Sequence, residues 1–275
     1  MGAAEGGILR SLTGHAHDQE GSSSLTTEPT TRRKPSTKAE QRAKTTEQIL
    51  DAAEYLFAQH GFYGVTLKNV AGRVGVHHTL LNYYFIDKAA LFEAVFARRA
   101  AVSSTRRMQA LDVYEAASGG KPTVEGAMHA FLDTDFDLYI EGGDAWKNYG
   151  ALGAQVANTP TWGAELMSKY FDPVVMRLIG LLKRALPECP EEDIFWGYNF
   201  VTGALLLTLA RTGRIDTLSG GLCQSDDFPA VKARMARFMA AGFIGICGSP
   251  PVVDVSKIAA RRSGKRGKAS NDSLS

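Results

Sequence analysis

Thr79, Asn82 and Tyr83 stand at i, i+3 and i+4, which puts a hydroxyl, a carboxamide and a phenol on one side of a helix, with His78 and Leu80 at its margins. Leu81 and Phe85, one turn apart, fall on the side that must be buried. Donors and acceptors lined up along the free edge of a short helix suit hydrogen bonding to base edges in a major groove. Two residues beyond Phe85, Asp87 caps a further helix whose first residue is Lys88, so a helix N-terminus and an ammonium sit together. That pairing suits a phosphate.

The elements around this edge are short and tightly punctuated. Ile49, Ala52, Ala53, Leu56 and Phe57 recur at helical spacing and give a first helix one apolar stripe, which Gly61 stops in a left-handed conformation. Thr66 caps a second helix carrying Leu67, Val70, Ala71 and Val74 on one side, and Gly75 ends it. Only Gly75 and Val76 remain as a turn into the third pattern, His77 to Phe85, so the second and third helices must cross steeply. A helix that short is not stable alone in water and must be propped by the first two, leaving its outer face free. The segment is a helix-turn-helix.

Thr66-Leu67-Lys68-Asn69-Val70-Ala71, Val74-Gly75-Val76, Leu81-Asn82-Tyr83-Tyr84-Phe85 and Asp87-Lys88-Ala89-Ala90-Leu91 resemble the N-terminal domain of the TetR (tetracycline repressor) family, without a gap from Thr46 to Val95. The resemblance implies that Thr66, Tyr84 and Lys88 hold phosphates and that Lys68, His78, Thr79 and Asn82 lie at or near base edges. With His77, Leu80 and Tyr83 these make up the expected DNA-binding set. His77 stands where the family often has a small hydroxyl residue, and Asn82 where a tyrosine is frequent, so the operator sequence does not carry over from any relative.

Other chemistries find less support. Adjacent histidines such as His77 and His78 diverge by about 100 degrees around a helix, and with no third ligand at i+4 they indicate capping or DNA-facing roles rather than a metal site. Cys189, His60 and the scattered acids form no nucleophile–base constellation, so no catalytic residue, enzyme activity or cofactor is indicated. Asp133, Asp135 and Asp137 diverge around one helix, which points to a solvated or pocket-rim role. Cys189, Cys223 and Cys247 lie far apart with no CxxC pair, indicating neither a disulfide framework nor zinc and fitting a reducing cytosol.

At 275 residues, with 44% hydrophobic and 22% charged residues, the chain has the composition of an ordinary globular protein. The formal net charge is only +2, but Arg32, Arg33, Lys34, Lys38, Arg42 and Lys44 cluster before the first helix against one acid, Glu40. Residues 1–44 are read as a disordered basic arm, either tracking a DNA backbone or serving as a solvated linker. Residues 249–275, with Lys257, Arg261, Arg262, Lys265, Arg266 and Lys268, are read as a disordered basic tail. No signal peptide is recognised near Met1, and the apolar stretch Ile194 to Ala210 reads as a buried interface helix rather than a membrane span. The expectation is a cytoplasmic protein with no membrane partner.

From Asp87 onward, helical patterns alternate with Gly, Pro, Asn and Thr breaks and no strand character, giving helices near 88–117, 123–141, 144–157, 162–186, 191–212 and 228–246. The fold is therefore all-α, about nine helices, with the helix-turn-helix domain at 45–92 and a helical ligand-binding and dimerisation domain at 93–248. The helix from Trp162 has a two-sided apolar stripe and reads as the central strut, and the last two helices are apolar enough to need a partner surface. The family resemblance implies a homodimer formed by those two helices. It also implies that the aromatic middle of the chain, Met128, Phe131, Tyr139, Trp146, Tyr149, Trp162 and Phe171 with Phe200 later, encloses a small, often apolar effector. Aromatics at such spacing also suit plain core, and a weaker resemblance of the C-terminal part to lipid-responsive members points to a fatty or acyl-type effector. Together these readings imply a regulator, acting as a repressor on double-stranded DNA at a pseudo-palindromic operator. The rival is a helical ligand- or partner-binding protein without operator specificity.

Overall fold

The computed structural model describes residues 37–248. The arm up to residue 36 and the tail from residue 249 lie outside the described residues, and with them the expectations of disorder placed there. Within them run α1 (Lys38–Gly64), α2 (Leu67–Val74), α3 (His78–Tyr84), α4 (Lys88–Ala117), α5 (Val124–Glu141), α6 (Gly143–Ala157), α7 (Gly163–Ala185), α8 (Glu191–Leu209), α9 (Arg214–Leu218) and α10 (Phe228–Gly248). The extra helix over the expected nine is the single turn α9, inside a stretch whose glycines read as a break.

The arm boundary at residue 44 needs correction. Residues 38–44 are helical because Thr37 and Glu40 form a reciprocal capping box: Thr37 Oγ1 accepts the Glu40 N–H at 3.2 Å and Glu40 Oε2 accepts the Thr37 N–H at 2.8 Å. Gly61, at φ +70, kinks α1 without ending it, and one more turn follows. Thr66 caps α2 through a second box with Asn69, and Gly75, at φ +78, closes α2 with its N–H on the Ala71 carbonyl.

Ile49, Ala53, Phe57, Val70 and Leu81 all belong to the buried core, and α3 packs on α2, which packs on α1. The long α4 joins head to body, burying Leu91, Phe92 and Val95 at one end and Ser103, Arg107 and Leu111 at the other. In the body α7 packs against α4, α5, α6 and α8, the position of a strut.

In α8, Ile194, Val201, Leu205 and Leu209 face inward while Phe195, Trp196, Phe200 and Leu207 remain exposed. Its Gly197 leaves room for the Phe243 ring of α10, since a Cβ there would lie 2.3 Å from that ring. Asp227 caps α10, accepting the Ala230 N–H at 3.0 Å. No helix among the described residues is long and apolar enough to cross a membrane.

The cysteine expectation is overturned in part. Cys189, in the turn before α8, is disulfide-bonded to Cys247 at the end of α10, with Cα atoms 4.9 Å apart, while Cys223 is free and exposed. The partners lie 58 residues apart in sequence, so no local spacing announces the pair.

Candidate nucleic-acid interface and core cavity

Leu81 is the one residue of α3 that is buried; Thr79, Asn82 and Tyr83 are exposed, as are His78, Thr66, Lys68 and His77, with Leu80 and Tyr84 half-buried. The sequence-derived edge is therefore outward. His77 caps α3: its Nδ1 accepts the Thr79 N–H at 3.4 Å and lies 2.9 Å from Thr79 Oγ1, and its ring stands 4.5 Å from that of His78. Asp87 Oδ1 accepts the Ala90 N–H at 2.8 Å, capping α4.

Lys88 does more than sit at that cap. Its Nζ donates to the Phe62 carbonyl at 2.9 Å and lies 4.4 Å from the Phe62 ring centroid, tying the end of α1 to the start of α4. Two ammonium N–H groups remain for a phosphate. Arg42 is a residue that sequence reasoning left in the arm. On α1 its guanidinium stands 5.3 Å from the Tyr83 ring and 5.7 Å from that of Tyr84, adding positive charge beside the exposed edge.

A cavity of about 50 Å³ lies in the body between α4, α5, α6, α7 and α8. Four of the eight expected ligand residues line it: Phe131, Tyr139, Tyr149 and Phe171. The other four do not. Met128 is plain core, Trp146 packs behind Tyr139 and Tyr149, Trp162 lies between Phe62 and Phe92 at 5.3 and 5.2 Å, and Phe200 is exposed beside Trp196.

Of the two roles left open for Asp135, solvated or pocket-rim, the structure has the second, and what the sequence did not show is its pairing with Arg107 and Ser103. Asp135 is buried, not solvated, and accepts Arg107 Nη2 at 2.5 Å and the Ser103 hydroxyl at 2.6 Å, with the Tyr139 hydroxyl at 3.5 Å. Burial, and then the charge of Asp135, pushes the Tyr139 and Tyr149 hydroxyls well above the usual phenol range, so both stay protonated.

Head and body are fastened at three places. Glu54, buried on α1, accepts Arg98 Nη2 and Arg99 Nε from α4, each at 2.7 Å. Gln155 of α6 donates to the Ala58 carbonyl of α1 at 3.1 Å. The Phe57, Phe62, Phe92 and Trp162 rings form the third fastening. Glu54→Ala strands Arg99 but leaves Arg98 its bonds to Glu47 and Asp51, and both arginines keep some solvent contact. We expect a loss of about 2–3 kcal/mol, below the usual cost of breaking a fully buried pair, measured by urea unfolding. A loss under about 0.5 kcal/mol, typical of exposed pairs, would show that Glu54 does not hold the head.

A helix-turn-helix head with a polar outer edge, fixed to an all-helical body around a small cavity, defines a class of DNA-binding regulators. Residues 49–95 match the family described as bacterial regulatory proteins, tetR family, and residues 129–242 match the tetracyclin repressor-like C-terminal domain, together more than half of the chain. The HTH-type transcriptional regulator BetI of Escherichia coli strain UMN026 is 25% identical over 167 residues, covering 61% of this chain and 83% of that protein. Among solved structures, a HlyIIR mutant carrying a linker with thrombin sites shares the fold, with a TM-score of 0.50 at 18% identity over 70% of this chain and 97% of that one. The chain belongs to the TetR family of DNA-binding transcriptional regulators.

Proposed function

We propose that this protein is a repressor that binds a pseudo-palindromic operator as a homodimer and is released from it by a small, largely apolar effector. The observation that carries the reading is α3 itself, whose buried anchor Leu81 leaves Thr79, Asn82 and Tyr83 facing out. In this reading Lys68, His77, His78, Thr79, Leu80, Asn82 and Tyr83 meet or flank base edges, while Thr66, Tyr84 and Lys88 hold phosphates. Regulators of this family are generally non-enzymatic, and this one works by binding, in the cytoplasm where its operator lies.

The partner for α8 and α10 is a second copy. Phe200 and Leu207 on α8 and Phe238 and Ile244 on α10 are large apolar side chains left in water, and a cleft of about 900 Å³ between α8, α9 and α10 continues that face. A dimer also doubles the base contacts that a single short helix provides.

The effector site is the body cavity. At about 50 Å³ it has room for water and not for a ligand of ordinary size, which needs roughly 300 Å³ or more. Occupation must therefore spread the helices around it, including α6, whose Tyr149, Gly150 and Gly153 line the cavity and whose Gln155 holds the head. An effector that fits only the spread form lowers operator affinity by its preference for that form. A fatty or acyl-type molecule falls within this class.

Selection of bound duplexes from a random pool tests the reading, a recovered palindrome being the expected result. On that duplex Asn82→Ala should lose about 1–3 kcal/mol of base discrimination. Lys88→Ala should weaken all sequences alike and reduce the salt slope by about one. No selected sequence, or the same uniform loss from both variants, would contradict this division of roles.

A further inference from the structure

Resting on the reading that the body cavity is an effector site, we propose that the site takes an uncharged apolar molecule bearing one carbonyl-type oxygen, received by the Nε–H of Arg107. Arg107 lines the cavity with 6% of its surface exposed. Its Nη2 is committed to Asp135, whereas its buried Nε has no acceptor among the described residues. The Phe131 ring lies 4.4 Å from the guanidinium carbon and the Phe171 ring 5.9 Å. Aromatic rings at these distances leave the need of an N–H for an oxygen unmet.

The charges already present select against ions. Asp135 neutralises Arg107, so a ligand carboxylate would add a second negative charge to a buried site that is balanced without it. A ligand ammonium would have to compete for Asp135 with Arg107 and Ser103, which already donate to it. An uncharged acceptor leaves the ion pair whole and supplies the missing bond. Of the other polar groups lining the cavity, the Tyr149 and Tyr198 hydroxyls can also donate to such a ligand, while that of Tyr139 already faces Asp135. Phe96, Val175 and Leu205 supply an apolar lining for the rest of the molecule.

The test uses the full-length protein and two matched sets of probes: acetophenone, ethylbenzene and benzoate, and γ-nonalactone, nonane and nonanoate. In titration calorimetry the carbonyl compound of at least one set should bind about ten- to a hundredfold more tightly than its hydrocarbon, and more tightly than its carboxylate. Arg107→Met combined with Asp135→Leu replaces the ion pair by apolar side chains and strands no charge. That variant should still bind the hydrocarbon and lose the preference for the carbonyl. Arg107→Lys keeps a cation opposite Asp135 but has no N–H at the Nε position, its ammonium lying further along the side chain beside Asp135, and should weaken the preference. Equal affinity for carbonyl and hydrocarbon, a tighter carboxylate, no binding of either carbonyl compound, or a preference that survives both variants would each overturn the inference. Operator release is scored separately. Arg107-dependent binding of a carbonyl compound that leaves the protein on DNA would uphold the ligand chemistry and remove the effector reading.

Discussion

Leu207→Asp combined with Phe238→Asp should leave the subunit folded, make it monomeric, and weaken operator binding by roughly thirty- to several-thousand-fold. Both side chains are largely exposed in the single subunit, so the fold gives up little when they change. Opposed across a two-fold axis, four added carboxylates would face apolar surface and one another, which no dimer of this kind tolerates. The magnitude follows from the half-site that a monomer leaves empty. Specific operator binding exceeds non-specific binding by about 4–10 kcal/mol, and with one recognition helix in place of two about half of that is forfeited. Sedimentation and a binding isotherm on the selected duplex measure the two effects. A double variant that stays dimeric would move the interface away from α8 and α10, and a monomer with undiminished affinity would remove the two-fold operator.

Opening the Cys189–Cys247 bond, by reductant or by Ser at both positions, should lower the free energy of unfolding by about 4 kcal/mol. The bond closes a loop spanning 58 residues, and the entropy it removes from the unfolded chain grows with the logarithm of that length. The loop contains α8, α9 and nearly all of α10. Urea unfolding with and without dithiothreitol measures it, through the midpoint and the slope. A difference under about 1 kcal/mol would show that the unfolded chain gains little freedom from the open form.

Features set by neighbours in sequence were legible before the structure. Thr66, Asp87 and Asp227 cap helices, and Gly75 ends one, because a cap involves residues within one turn of chain. The capping box at Thr37 and Glu40 is written just as openly, but the run of basic residues drew attention to charge instead. What escaped are pairings between distant helices. Asp133, Asp135 and Asp137 look alike on α5, yet one bonds His129, one lies in the core with Arg107, and one meets Lys232 on α10. The His129–Asp133 contact is an i,i+4 pair within α5 and was open to reading from the sequence, whereas what separates Asp135 from Asp137 is the residue that packs opposite. The aromatic residues teach the same lesson. Phe131 and Tyr149 line the cavity, Trp162 joins head to body and Phe200 lies outside, and ring count separates none of these fates.

The bond from Gln155 to the Ala58 carbonyl links α6, which lines the cavity, directly to α1 of the head. In a two-fold assembly the component of one head's displacement along the line joining the two heads is met by an equal and opposite one in the partner, so the span between the two recognition helices changes by twice that component. Hydrogen bonds to base edges weaken within about half an ångström of misplacement, while the groove repeat of roughly 34 Å stays the same. In the proposed dimer symmetry would thus act as a gear of ratio two, a small shift within one subunit counting double against register on the duplex.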